Sequence, residues 1–144
     1  MNYGKKFTDR DFLPTTAALF KRDTKLSAGE LNCSAVTKRT AVEWRRPSEF
    51  MTGPYNIFEA GIEPGDIQQG QLGDCWLLCA IAALTEFPQL VMDLFESQEV
   101  SEHGVYRIRL CKNGWWQSVR LDDFFPCIPG AGPIYSRCNG NELW

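Results

Sequence analysis

Residues 68–86 are QQGQLGDCWLLCAIAALTE, and this stretch decides the fold. Asp74 is a favoured residue type at a helix N-cap, so we expect a helix that begins at residues 73–74 and ends near Glu86. Nearly every position from Cys75 to Leu84 is apolar. Because a helix that is apolar on all sides is normally buried, the sequence predicts a central helix enclosed in the core.

The region after this helix predicts an antiparallel hairpin. Alternate residues share a face over residues 105–111 and again over 115–121, which is the period of a strand. Asn113-Gly114 lies between the two runs and favours a tight hairpin turn. A second, short helix is expected over residues 89–96. One buried helix against an antiparallel sheet makes the predicted class α+β.

The other segments carry weaker signals. Residues 21–41 are polar and lack a sustained period, which indicates a surface connection. Residues 53–73 are dense in Gly, Pro and Asp and are expected to be mostly loop. The step from Arg46 to Pro47 prevents a helix from continuing across it. Residues 124–144 are rich in turn-forming residues.

Size and composition indicate one globular domain. The chain has 144 residues, of which 44 % are hydrophobic and 23 % are charged. The strongest apolar run, residues 76–84, is nine residues long, against the roughly 20 that a membrane span requires. The N-terminal residues lack the apolar region of an export signal, so we expect a cytoplasmic protein whose six cysteines are reduced thiols.

Charge and metal-ligand patterns exclude two classes of function. The net charge is −3, so nucleic acid is not expected as a main partner. Residues 1–50 carry 10 Lys/Arg against 6 Asp/Glu, whereas residues 51–144 carry 5 against 12, which favours cationic ligands in the second part. No Cys-x-x-Cys pair is present, and the single histidine, His103, has no Cys or His at ligand spacing. A zinc site is therefore not predicted.

Cys75 is the residue best placed for chemistry. It lies in the first turn of the predicted helix, where unsatisfied amides and the helix dipole favour an anion and lower a thiol pKa. The glycines at positions 70 and 73 are expected to keep the space in front of the sulfur open. On these grounds alone Cys75 is a nucleophile or an ordinary buried cysteine, as we expect Cys79 to be. Asp74 is by itself a helix cap.

The wider pattern resembles the calpain family of papain-like cysteine proteases. The run QQGQLGDCWLLCAIAALTE resembles the family's catalytic-cysteine segment, and the flanking motifs follow in the family's order. Those motifs are DFLPTTAALF at residues 11–20, WRRPSEF at 44–50, VRLDD at 119–123 and GNELW at 140–144. The resemblance implies a papain-like fold, of which this chain would hold the nucleophile-bearing N-terminal subdomain in truncated form. Residues 1–6 would be a leader and residues 7–144 that incomplete subdomain.

The resemblance also implies roles for individual residues. Cys75 would attack the peptide carbonyl, and the Gln69 side-chain amide would donate to the oxyanion together with the Cys75 backbone N–H. Trp76 would follow the nucleophile into the core. Chemistry alone leaves Gln68 and Gln71 equally available as donors, and only the family register selects Gln69.

A calcium ion is the cofactor that the resemblance implies. Asp66 and Glu142 would supply carboxylates, and Glu59 and Gly61 would supply backbone carbonyls. Hard oxygen ligands of this kind suit Ca²⁺. The alternative is that these are solvated surface carboxylates, and Glu142 lies close enough to the C-terminus to be expected to fray.

The catalytic base and its orienting residue are missing from the pattern. Papain-type enzymes place His and Asn roughly 130–150 residues beyond the cysteine, whereas only 69 residues follow Cys75 here. His103 is expected to be an exposed loop residue. The resemblance therefore implies the nucleophile half of a calcium-dependent endopeptidase that cuts intracellular proteins, inactive without a His/Asn-bearing subdomain.

Two alternatives stay open. The chain could be a non-catalytic calpain-like module with a binding or regulatory role. It could also be a redox-sensitive thiol protein that uses Cys75 and Cys79, although residues four apart on a helix rarely meet disulfide geometry.

Overall fold

The computed structural model describes residues 5–19, 42–59, 61–70 and 72–144. This described part is mixed helix and sheet, in agreement with the predicted α+β class. Its helices are α1 (Pro47–Phe50), α2 (Cys75–Leu84) and α3 (Pro88–Met92), with 3₁₀ turns at Thr16–Leu19 and Pro64–Asp66. Its strands are β1 (Glu43–Arg45), β2 (Gln68–Gln69), β3 (Val105–Lys112), β4 (Trp115–Asp122), β5 (Phe125–Ile128), β6 (Gly132–Pro133) and β7 (Ser136–Arg137).

The predicted hairpin is confirmed and extends by one residue on each strand. β3 and β4 pair antiparallel from Val105 opposite Asp122 to Lys112 opposite Trp115. Asn113 and Gly114 form the connection with φ values of 54° and 81°. Positive φ at both central positions is the geometry that matches the right-handed twist of the two strands.

The predicted central helix forms, but its expected burial is wrong. α2 begins directly after Asp74 and ends at Leu84, two residues before the expected end. None of its residues is buried against the rest of the described chain, and Trp76 is 73 % exposed. The apolar side chains would gain free energy from burial, but how far they are buried depends on which elements pack against the helix. α2 lies beside β2, α3 and the Pro64–Asp66 turn, and these cover little of it.

The remaining strands form two small antiparallel sheets, which order the region predicted to be only turn-rich. β5 lies between β1 and β6, and β2 pairs with β7. The buried apolar side chains come from loops and short elements around these sheets: Ile57, Ile62, Val91, Cys127 and Ile134. The predicted short helix is shorter than expected and ends at Met92. The predicted surface connection over residues 21–41 lies outside the described residues.

A buried ion pair fixes the N-terminal segment to the body of the chain. Arg46 pairs with Asp123, whose side chain is 2 % exposed, and also donates to the Phe7 carbonyl at 2.7 Å. The Phe7 N–H donates to the His103 carbonyl at 2.7 Å. Gly104 has φ +63°, and a Cβ there would meet both Arg46 and Asp123. The turn before β3 therefore needs a glycine because the ion pair occupies the space of a side chain.

None of the described helices combines the length and the apolar character that a membrane span requires.

Candidate active site

Cys75 is the first residue of α2 and is exposed. The Asp74 carbonyl accepts the first helical hydrogen bonds, from Leu77 N–H at 2.8 Å and Leu78 N–H at 3.1 Å. The thiol therefore lies at the end of the helix where backbone N–H groups are free to face an anion. Steric access to the sulfur, which nucleophilic attack requires, is present.

Asp74 occupies the N-cap position without capping through its side chain. Its backbone angles are φ −111° and ψ 22°, and no side-chain hydrogen bond to the helix forms. Its Oδ1 atom is buried and has no hydrogen-bond partner in the described part of the chain. The sequence predicted the position of this residue correctly, but not the side-chain cap.

Gln69 lies on β2, which contacts α2. Its side chain is exposed, and its Nε2 donates to the Leu72 carbonyl at 2.7 Å. A side-chain amide carries two N–H donors, so this bond leaves one of them for another acceptor. The structure therefore holds Gln69 through the loop that leads to Cys75.

Gly70 has a packing role that the sequence did not indicate. Its N–H donates to the Tyr135 carbonyl at 3.0 Å, and a Cβ on Gly70 would collide with the Ile134 carbonyl oxygen. The glycine lets β2 approach the segment before β7 closely. It was predicted to keep the approach to the sulfur open, whereas its observed contact is with this neighbouring backbone.

Several neighbouring predictions have clear outcomes. Trp76 does not enter a core, and Cys79 is exposed instead of buried, because α2 has little cover within the described chain. The Gln68 amide contacts the Asn139 side-chain oxygen at 3.5 Å, whereas Gln71 lies outside the described residues. His103 is exposed, as predicted.

Glu142 is a buried carboxylate at the centre of an acidic group. It is 7 % exposed, and its Oε1 accepts the Glu59 N–H at 3.1 Å. Burial raises the pKa of Glu142, and the nearby charges of Asp66 and Glu59 raise it further. Asp66 and Glu59 are therefore close enough for their charges to disfavour the ionised form of Glu142.

The expected fraying at Glu142 is wrong. Residue Asn56 donates its N–H to the Asn141 carbonyl at 2.9 Å and accepts from Leu143 N–H at 3.1 Å. Trp144 N–H donates to the Ile57 carbonyl at 3.2 Å. The terminal residues are thus tied to a loop more than 80 positions earlier, and this pairing buries Glu142.

The carboxylate and carbonyl oxygens of this acidic group are ligands of the kind that a hard cation prefers. Asp66 and Glu142 offer carboxylates, and Gly61, at φ +124°, lies on the loop that also carries Glu59. No group of three His, Cys, Asp or Glu side chains in the described residues is arranged to hold a metal ion. The predicted set contains two side-chain carboxylates and two backbone carbonyls, so that finding does not test it. A buried carboxylate beside two further acidic residues is the electrostatic setting that a bound cation would stabilise.

Asn139 is a residue that the sequence reasoning missed. Its Nδ2 donates to Asp66 Oδ1 at 2.8 Å, and its side-chain oxygen is the atom that Gln68 contacts. It therefore links the acidic group to β2, which also carries Gln69. The only local signal was the Asn-Gly turn at residues 139–140, which says nothing about a partner 73 positions away.

Comparisons with known proteins agree on one family. A family model described as calpain family cysteine protease matches residues 7–144. The chain is similar to the calpain-type cysteine protease DEK1 of Arabidopsis thaliana, at 34 % identity over 97 % of this chain and 6 % of the relative. It is similar to the calpain-1 catalytic subunit of Homo sapiens, at 33 % identity over 98 % of this chain and 19 % of the relative. It thus spans less than a quarter of either relative's length.

Proposed function

Since the chain belongs to the calpain family of cysteine proteases, we propose that it carries the nucleophile of a calcium-dependent, papain-like endopeptidase that performs limited proteolysis of proteins. The observation that carries the proposal is the exposed Cys75 at the first residue of α2. Its thiolate would attack a peptide carbonyl and form a bond from sulfur to carbon. The carbonyl oxygen would take up the negative charge.

Two donors support the role of the site in binding that oxyanion. The Cys75 backbone N–H lies at the free end of the helix. Gln69 is exposed, lies on the strand beside the helix and keeps one amide N–H after its bond to Leu72. Donors that are already positioned stabilise the developing charge more than mobile water does.

The general base that a cysteine protease needs is not among the residues assigned to the site above. His103 is the only histidine among the 144 residues, and it is exposed in the turn before β3, where its carbonyl holds Phe7. We therefore propose that a His- and Asn-bearing subdomain completes the site and that these 144 residues are inactive alone. The exposed apolar side chains of Trp76, Leu77 and Leu84 on α2 support a docked partner, because clustered exposed apolar residues commonly mark an interface.

Calcium would bind through Asp66, Glu142 and the carbonyls of Glu59 and Gly61. Its charge would stabilise the Glu142 carboxylate, which burial and the neighbouring charges of Asp66 and Glu59 disfavour. Asn139 would keep Asp66 oriented through its 2.8 Å hydrogen bond. Calcium binding at this group would thereby stabilise the loop that leads into β2.

A non-catalytic calpain-like module is the second candidate. The observation that favours it is the exposed position of His103, whose backbone carbonyl accepts the Phe7 N–H within the described part of the chain. In that case Cys75 would be an ordinary exposed thiol.

The rate at which Cys75 is alkylated at neutral pH separates the two candidates. Peptide-resolved mass spectrometry after iodoacetamide treatment should show Cys75 modified several-fold faster than an exposed cysteine that no helix end activates, because the thiolate is the attacking species. Cys79 lies one helical turn further along α2 and is also exposed, so it serves as the internal control. An alkylation rate for Cys75 equal to that of Cys79 would remove the case for an activated nucleophile.

A further inference from the structure

A cationic groove lies between the N-terminal segment and the hairpin, away from the residues assigned above. It encloses about 790 Å³. Lys5, Lys6, Arg10 and Arg120 line it, with Asp11 as the one acidic residue among the described lining residues. This concentration of positive charge contrasts with the net charge of −3 for the whole chain.

The same charge continues along one face of the hairpin. Arg107 lies directly opposite Arg120 in the register of β3 and β4. Arg109 lies two residues further along on the same face, with its guanidinium 5.5 Å from the centroid of the Trp116 ring. Like charges placed directly opposite each other across two strands repel, so this arrangement costs stability unless an anion offsets it.

Most of these cations lack an acidic partner. Within the described residues, Lys6 is paired with the buried Asp123 at 3.7 Å and Arg107 with the exposed Glu96 at 3.8 Å. Lys5, Arg10 and Arg120 take part in no ion pair of the described chain. Arg120 instead stacks over the Phe7 ring, with its guanidinium 4.7 Å from the ring centroid, which holds its charge at the groove wall.

We propose that this groove is a docking site for an acidic peptide segment of another protein. Its carboxylates would pair with Lys5, Arg10 and Arg120, and its backbone would lie along β4. The outer edge of β4 pairs with no other strand in the described part of the chain, so it offers backbone groups to an extended peptide. This site goes beyond proteolysis and does not depend on the reactivity of Cys75.

Charge distribution favours a short acidic peptide over larger polyanions. Residues 51–144 carry 5 basic against 12 acidic residues, so the surface that this part of the chain forms disfavours an extended anion. A nucleic acid or an anionic bilayer would bring uniform negative charge against that surface. A short acidic segment would lie within the concave region, where four cations face a single acidic residue, Asp11, among the described lining residues.

Fluorescence anisotropy of a labelled glutamate peptide tests the proposal on the whole 144-residue chain. The peptide has about six glutamates and spans roughly 20 Å when extended. We expect saturable binding that weakens with added salt, and no binding of a glutamine peptide of equal length. The double variant Arg10→Glu, Arg120→Glu should lower the affinity by about tenfold or more, because two attractive pairs become repulsive.

Lys112→Glu is the matched control for charge reversal. Lys112 lies on the same hairpin, opposite Trp115. Its side chain points to the face opposite to that of Arg107 and Arg109, because side-chain direction alternates along a strand. It should change the affinity by less than about twofold. If the double variant loses its native circular dichroism, Arg10→Gln is tested in its place, because Arg10 is exposed and makes no ion pair in the described chain. The affinity for the glutamate peptide should then fall by about threefold.

Three outcomes would overturn the proposal. The first is equal binding of the glutamine peptide. The second is an affinity that the Arg10 and Arg120 substitutions leave unchanged. The third is stronger retention on phosphatidylserine vesicles or on a single-stranded oligonucleotide than on the acidic peptide.

Discussion

Replacing Asp123 by Asn should destabilise the chain more than any exposed charge substitution. The Asp123 side chain is 2 % exposed and that of its partner Arg46 is 12 % exposed, so the variant leaves a buried guanidinium without its countercharge. Removing one partner of a buried pair costs about 3–5 kcal/mol. We expect the lower end of this range, because Arg46 keeps its bond to the Phe7 carbonyl and its stacking on Phe124 at 4.0 Å.

Urea unfolding followed by far-ultraviolet circular dichroism measures this loss. A destabilisation of about 3 kcal/mol corresponds to a midpoint shift of about 1–3 M urea for the usual range of denaturant slopes. Glu96→Gln is the control, since Glu96 and its partner Arg107 are 36 % and 60 % exposed, and an exposed pair contributes at most about 1 kcal/mol. An Asp123→Asn shift no larger than that of Glu96→Gln would refute the reasoning from burial.

Three further predictions concern single residues. Gly104→Ala should destabilise the chain by about 2 kcal/mol or more in the same urea assay, because its positive φ is strained for alanine and the methyl group would collide with the buried ion pair. Gly114→Ala is the control, since its Cβ would meet nothing within 4 Å and only the backbone strain of a positive φ should remain. Burial raises the pKa of the Cys127 thiol to about 11, so iodoacetamide at about pH 8 should label the exposed Cys111 and leave Cys127 unmodified until the chain unfolds. Burial raises the pKa of Glu142 above its ordinary 4.5, so the stability that this group contributes is present below that value and is lost as the pH rises through the raised folded-state pKa. Glu142→Gln should therefore reduce the difference between the unfolding midpoints at about pH 4 and about pH 7. Calcium should raise the unfolding midpoint of the wild-type chain but not that of the variant.

Local patterns predicted the elements whose structure is set by their own residues. The hairpin follows from the alternation on both strands and from Asn113-Gly114, which fixes the turn and the register together. The start of α2 follows from Asp74, because a helix start depends on the few residues around it. In both cases the residues that carry the signal are those that form the structure.

Features that depend on distant residues were not predicted. The hydropathy of residues 75–84 predicted a core helix, but none of the α2 residues is buried in the described chain. Burial requires other elements that pack against the helix, and the helix sequence does not show which elements do so. The pair of Arg46 and Asp123 joins positions 77 apart and has no local signature. Glu142 was expected to fray for the same reason, since its pairing with Asn56 is invisible in the terminal residues.

At the site, sequence and structure agree on the accessibility of Cys75. The resemblance selected Gln69, and the structure places it beside the helix, but its bond to Leu72 could not be predicted because loop geometry decides it. The role of Cys75 as a nucleophile remains a prediction for the alkylation experiment, and the role of Gln69 as an oxyanion donor remains a prediction as well.

The exposure of three of the five tryptophans has a practical spectroscopic consequence. Trp76, Trp115 and Trp116 are 73 %, 76 % and 60 % exposed, so most of the intrinsic emission should already be red-shifted in the native protein. Fluorescence would then register little change on denaturation. The same indoles become local reporters, since a blue shift or quenching would signal a molecule that binds at α2 or at the hairpin tip.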